Sequence, residues 1–304
     1  MIGTEPAELE QGEAVFSGDG GRPSRHAAAD FELEFLNDPF NRRLTVIRHD
    51  GDVEAICAFL DEQAKAARAT KIFFRTGEAS WDAVLSHGYV LEGIIRGYYR
   101  GANAYCLARF FTRRRRFGQH FEEEKEILDR VRQIPPFQRR LEAPPEIVTR
   151  TAGPDDAAEL AALYRSVFET YPTPLNDPAY IREEMSGDCV YRVACHAGRI
   201  VSAAAAAVDW PNGAAELTDC ATAPAYRGRG IIQFLLQELE ADVVARGVRC
   251  TYGMARALSQ GMNLAFRRLG YAYQGRLINH CHIMGRFEDV NLWVKAEPPT
   301  VSDR

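Results

Sequence analysis

The sequence predicts an α/β protein built on a mixed sheet, in two unequal halves. From residue 146 onward, short apolar runs bounded by turn residues alternate with segments whose apolar positions recur at helical spacing. The same order of strands and helices occurs once before, between residues 44 and 110. There the wording "HGYVLEG" (87–93) anticipates "LGYAYQG" (269–275), an offset of 182 residues (87 to 269). At 304 residues the chain is also long enough to bury two cores of ordinary size.

Residues 1–29 are rich in Gly, Glu, Ala and Ser without periodicity, which predicts a disordered tail. Residues 44–47 then read as strand, 53–67 as a helix with Val53, Ile56 and Leu60 inward, 71–75 as strand, 81–86 as helix, and 89–95 and 104–110 as strands. Residues 30–112 thus form an amino-terminal domain, a degenerate half-copy of the later one. Residues 113–145 read as a linker: an arginine run (Arg113 to Arg116), a charged helix with Ile127, Val131 and Ile134 at helical spacing, then two proline pairs. Beside Glu122, Glu123 and Glu124 the arginines predict a solvated, self-paired segment, not a nucleic-acid site.

The second domain, 146–296, opens on a strand at 147–150. A helix follows with Leu160, Leu163 and Val167 on one face and Asp155 and Asp156 at its positive end. Residues 177–186 read as helix, 190–195 and 200–208 as strands, and 215–222 as a further strand. The next helix carries Ile231, Leu235, Leu239 and Val243 in one stripe and stops at Gly247. Strand 249–255, helix 260–269 and strands 271–278 and 282–294 complete it, leaving 297–304 as a flexible tail.

A chain that is 46% hydrophobic and 26% charged, with net charge −5, gives no electrostatic reason to expect nucleic acid or an anionic membrane as partner. The acidic first residues are the opposite of an export signal, and no apolar run nears the roughly 20 residues that cross a bilayer. These features place the chain in the cytoplasm. Seven scattered cysteines, an odd number without zinc-site spacing, predict reduced thiols. In His280-Cys281-His282 the alternation of a strand puts both histidines on one face and the cysteine on the other, too few ligands for a metal.

The stretch "YRGRGIIQFLL" (226–236) alternates two arginines with two glycines at the mouth of an apolar helix. Glycine lets main chain approach a ligand, and the first amides of the helix and its dipole point to the same place, so the turn forms an anion cradle. Arg227 and Arg229 add charge suited to a pyrophosphate. The cradle lacks G-K-[ST] and the third glycine of a dinucleotide fingerprint, which leaves coenzyme A.

The succession of strand, "YRGRG" turn, apolar helix, strand, helix with Asn263 and "RRLGY" resembles the GNAT acyltransferase superfamily over residues 146–295, with Ala225 departing from the first position of its R/Q-x-x-G-x-G/A motif. "ETYPTPLNDPAYI" (169–181), "ELTDCATAPAYRGRG" (216–230), "YGMARALSQGMNLAFRRLGYAYQGRLIN" (252–279), "FEDVNLWVK" (287–295) and, in the other half, "GYVLEGIIRGYYRGANAYCLARFF" (88–111) look like the beta-lysine N-acetyltransferases. The resemblance implies acetyl-CoA as co-substrate, no metal, and direct transfer in a ternary complex to the ε-amine of beta-lysine, giving a compatible solute. The alternatives are another small amine, such as lysine or a polyamine, or a non-catalytic scaffold that binds coenzyme A or an amino acid. A homodimer is left open.

The resemblance also implies site residues. Cofactor binding falls to Cys220, Ala221, Thr222, Arg227, Gly228, Arg229, Gly230 and Ile231, with Asn263 hydrogen-bonding the coenzyme; a main-chain N–H near Cys220 and Ala221 faces the oxyanion. An amine of pKa about 10.4 is neutral in about one molecule in a thousand at pH 7, so a base is needed. Glu216 and Asp219 are the candidates. Their odd spacing on one strand points them to opposite faces, so Glu216 is preferred as base and Asp219 holds a substrate ammonium or a loop. The tyrosine that protonates the departing thiolate in this superfamily is replaced by Phe266, so either Tyr252 or Tyr271 substitutes or the thiolate leaves unaided; Asn263 is counted with the catalytic residues as well, and Tyr252 with those that bind the acceptor. Arg256 is the candidate for the acceptor's carboxylate, and Tyr171 for the mouth of the site. The amino-terminal half reads "RHDGDVE" (48–54) where a cradle would be, and its aspartates repel phosphate, so one cofactor per chain is expected.

Overall fold

The structure, a computed structural model, describes residues 23–296 and the two-residue strand Val15–Phe16 (β1). The amino-terminal half comprises β2 (Ser24–Ala27), β3 (Phe31–Asp38), β4 (Arg43–Gly51), α1 (Val53–Ala66), β5 (Lys71–Thr76), α2 (Trp81–Ser86), β6 (Val90–Tyr99) and β7 (Ala102–Phe110). Next come α3 (Arg113–Arg116) and α4 (Phe121–Arg132). The second half contains β8 (Val148–Thr151), α5 (Ala157–Val167), β9 (Thr170–Tyr171), α6 (Pro178–Ser186), β10 (Cys189–His196), β11 (Arg199–Asp209) and β12 (Ala214–Thr222). It ends with α7 (Ile231–Ala245), β13 (Cys250–Arg256), α8 (Gln260–Arg268), β14 (Ala272–Ile283) and β15 (Arg286–Ala296).

Thirteen strands form one sheet, ordered β2-β3-β4-β5-β7-β6-β14-β15-β13-β12-β11-β10-β8. Outward from the β6–β14 junction the two directions have matching connectivity: β4 lies parallel to β5 as β12 does to β13, and β7 is antiparallel to β5 as β15 is to β13. At the junction Gly93 pairs with Gly275, the two glycines that end the repeated wording. A Cβ on Gly275 would lie 2.2 Å from the Glu92 carbonyl oxygen, so only glycine lets the halves meet this closely. The buried Lys71 Nζ ties the same seam, donating to Glu92 Oε1 at 3.0 Å and to the Ile278 carbonyl at 2.8 Å. One apolar cluster, including Ile95, Tyr98, Tyr252, Leu277 and Leu292, spans both halves.

Several expectations change here. Residues 24–27, assigned to the tail, pair with β3; residues 1–14, 17–22 and 297–304 lie outside the described residues. The 113–145 segment is docked: Ile127, Leu128 and Val131 of α4 enter the core of the second half. Arg115 is not solvated. It is buried, with its guanidinium 3.8 Å from the Phe287 ring centroid and Nη1 donating to Thr70 Oγ1 at 3.1 Å. The last hairpin turns at Met284 and Gly285, both at positive φ, so β14 runs through 279–282 with a bulge in which Asn279 has φ +42°. Among the described residues no helix is long and apolar enough to cross a membrane.

Candidate active site

Gly228 and Gly230 have φ of +78° and +76°, which L side chains rarely adopt, and open space where each Cβ would stand. Gly230 is the N-cap of α7 and has no side chain with which to cap it. The first amides of a fifteen-residue helix therefore have no side-chain cap from Gly230. Arg227 and Arg229 flank the turn, Arg227 Nε donating to the Thr222 carbonyl at 3.1 Å and Arg229 lying 3.5 Å from Glu146. At the matching place in the first half, Asp52 caps α1 by accepting from the Glu54 and Ala55 amides, so that helix end is already closed.

Strands β12 and β13 pair only from Ala214 to Glu216 and then separate, freeing the β12 main chain from Thr218 to Thr222 on that side. The separation coincides with a bulge, at which Asp219 takes φ +50° and β12 slips in register against β11. Three tyrosines hold the bulge: Tyr164 donates to the Asp219 carbonyl at 3.0 Å, Tyr171 to Oδ1 at 3.0 Å and Tyr191 to Oδ2 at 3.3 Å.

The bulge overturns the opposite-face reading of the carboxylates. Glu216, Thr218 and Asp219 all line one cavity of about 430 Å³, shared with Tyr171, Arg256 and, unforeseen from sequence, Asp38, Asn41 and Arg43 of the first half. Burial and the neighbouring Asp219 push the Glu216 carboxyl up to about 7, against the pull of the Arg75 guanidinium and a Tyr252 hydrogen bond. Burial raises Asp219 to about 6 despite its tyrosine donors. Burial also raises the Cys220 thiol, the wrong direction for a nucleophile.

Asn263 does not face a coenzyme. Its side chain is fully buried, with Nδ2 donating to the Arg256 and Ser259 carbonyls at 2.9 and 2.8 Å and Oδ1 accepting from Asn291 and Trp293 at 2.8 and 2.9 Å. All of its capacity goes to fixing the loop from β13 to α8. Phe266 packs under Gly253, where a Cβ would lie 2.1 Å from its ring, and Tyr271 is committed to Thr251 and Glu240, so neither serves the cavity. Arg256 lies on the cavity wall, 4.0 Å from Glu288. The β14 bulge brings both His280 and Cys281 to the cavity, contrary to strict alternation. Among the described residues no group of three or more His, Cys, Asp or Glu side chains is placed to hold a metal ion.

The acetyltransferase (GNAT) family model matches residues 160–271. The chain is 36% identical over 259 residues to N-acetyltransferase YodP of Bacillus subtilis, covering 85% of this chain and 94% of that one. It is 34% identical over 265 residues to a beta-lysine N(6)-acetyltransferase of Methanosarcina mazei, covering 81% and 98%, and 30% identical over 264 residues to one of Methanococcus maripaludis, covering 87% and 94%. A solved N-acetyltransferase from Staphylococcus aureus superposes with TM-score 0.44 at 18% identity, covering 49% of this chain and 98% of that one. On the strength of the curated relatives, the chain belongs to the GNAT acetyltransferase family, in the branch that holds the beta-lysine N-acetyltransferases.

Proposed function

We propose that this enzyme transfers the acetyl group of acetyl-CoA to the terminal amine of beta-lysine. The observation that carries the reading is the cavity itself, where two carboxylates meet beside the parted strands that flank the cradle in sequence. The curated relatives named for beta-lysine support the choice of acceptor. Among the residues lining the cavity are four carboxylates, Asp38, Glu184, Glu216 and Asp219, against two guanidiniums, Arg43 and Arg256, a balance suited to an acceptor with two ammonium groups and one carboxylate.

Acetyl-CoA supplies an activated acyl group on a thiol leaving group. The amides of Gly228 to Ile231 hold its pyrophosphate, with Arg227 and Arg229 alongside. Glu216 takes the ammonium proton, directly or through water; a carboxyl held near 7 is divided between its two forms at neutral pH, where base catalysis is most effective. Asp219 is occupied by tyrosines and keeps the bulge in shape. A main-chain N–H of the parted strand near Cys220 and Ala221 donates to the oxyanion. The thiolate, with an unperturbed pKa about 8.5, leaves without an obligatory acid.

Thiol release from acetyl-CoA, measured with beta-lysine, α-lysine and spermidine in parallel, tests the proposal. Beta-lysine should give the highest kcat/KM. No release with beta-lysine, or a preference for spermidine, would refute it.

A further inference from the structure

The amino-terminal half contributes charge to the acceptor cavity through the β3–β4 hairpin. Asp38 and Arg43 sit there as a half-buried ion pair, Nη2 to Oδ2 at 3.1 Å, with side chains only 11% and 13% exposed. The pair is held by its neighbours. Asn41, fully buried, donates its main-chain N–H to Asp38 Oδ1 at 3.0 Å and its Nδ2 to Oδ2 at 2.7 Å, while its Oδ1 accepts the His282 amide at 2.6 Å. Arg43 Nη1 donates to the His280 carbonyl at 3.0 Å, yet its Nε is buried with no hydrogen-bond partner.

Both halves converge on this spot. Arg43 is near enough to Glu216 to favour its charged form, and Arg43 and Arg256 both act on the Cys281 thiol, which lies on the cavity wall. Opposite charges side by side, on the wall of a cavity whose wall also carries the proton acceptor, are the complement of an amino-acid head group on an acceptor that also carries an amine.

We infer that Asp38 and Arg43 form the clamp for the acceptor's head group: Asp38 binds the ammonium nearest the carboxylate, and Arg43 binds the carboxylate together with Arg256. This rests on the proposed reading that the acceptor is a diamino acid. The clamp makes the amino-terminal half the specificity wall of a reaction whose donor site lies wholly in the other half. A plain diamine offers nothing to either arginine.

The test compares kcat/KM for beta-lysine with that for cadaverine, a diamine lacking the carboxylate, in the wild type and in Asp38→Asn and Arg43→Lys. Acetyl-CoA affinity by calorimetry, which depends on the distant cradle, verifies the fold of each variant. The beta-lysine to cadaverine ratio should fall about tenfold or more in each, mainly through the KM for beta-lysine. Arg43→Lys keeps the charge and loses the fork, so a fall there reads geometry and not charge alone. A ratio unchanged within about twofold, or equal losses on both amines, would overturn the clamp while beta-lysine acetylation stood. Failure of the wild type to acetylate beta-lysine would remove the functional reading and the clamp together.

Discussion

Gly275→Ala is the methyl addition the seam should tolerate least. The new Cβ would lie 2.2 Å from the Glu92 carbonyl oxygen and 2.4 Å from Gly93 Cα, both main chain, at a φ of +150° that alanine rarely adopts. Ordinary contact begins at 3.4 Å, so β14 and β6 must part by about 1.2 Å (3.4 less 2.2). That movement would stretch the seam's other bonds, Lys71 Nζ to the Ile278 carbonyl at 2.8 Å and the Ile278 amide to Glu92 Oε1 at 2.7 Å, beyond hydrogen-bonding reach. Lys71 and Glu92 are both buried, and each would lose a hydrogen bond of its charged group across the seam, worth about 1.5–3 kcal/mol apiece. Equilibrium urea unfolding should therefore show a loss of about that size. Gly261→Ala, where a Cβ meets nothing within 4 Å, is the control and should change stability by no more than about 1 kcal/mol. A loss below about 1 kcal/mol for Gly275→Ala would show that the seam gives way freely and that its glycines are not required by close approach.

Three further outcomes are expected. Valine at Gly228 or Gly230 should weaken acetyl-CoA binding at least about tenfold by calorimetry, because positive φ is needed to present the cradle amides; undiminished affinity would discard the cradle. Glu216→Gln should lower kcat by about 10²- to 10⁴-fold with acetyl-CoA affinity retained, and wild-type kcat/KM should fall below a pH of about 7 as Glu216 takes up its proton. In the folded chain that carboxyl keeps a proton which the unfolded chain releases at the ordinary carboxylate range. Its contribution to stability therefore declines as pH rises from that range to about 7, and glutamine should remove this part of the slope in pH-resolved unfolding. Asn263→Leu strands the buried Trp293 Nε1–H and Asn291 Nδ2–H, and should cost about 2–4 kcal/mol in urea while leaving acetyl-CoA affinity within about threefold; a selective loss of affinity would return Asn263 to the coenzyme.

The order of elements, the α7 stripe and the glycine turn were legible because each is local: helical spacing, a residue free to adopt positive φ, and a helix that follows at once. The matching Gly93 and Gly275 could be seen as a repeat, but nothing in one strand announces that its glycine will face its own counterpart. Strict alternation misplaced Asp219 because a non-glycine residue at φ +50° inserts into β12, and the hydroxyls that hold it there come from α5, β9 and β10. Asn263 looked like a ligand residue because its partners, Trp293 and Asn291, lie on β15 and meet it only in the fold. Asp38, Asn41 and Arg43 belong to no motif in the sequence. Their place in the cavity depends on β14 passing beside that hairpin, a contact more than two hundred residues long in sequence.

The bare start of α7 links the protein's durability to its own reactant. A serine or aspartate at position 230 would satisfy those amides permanently; on the proposed reading of the cradle, glycine leaves them for the donor's phosphates. Any ligand that binds only the native form deepens that state by RT ln(1 + [L]/Kd), about 2.7 kcal/mol at a hundredfold excess. Resistance to heat and to proteolysis should accordingly rise and fall with the supply of acetyl groups, so that a cell short of fuel holds less of this catalyst as well as less for it to use.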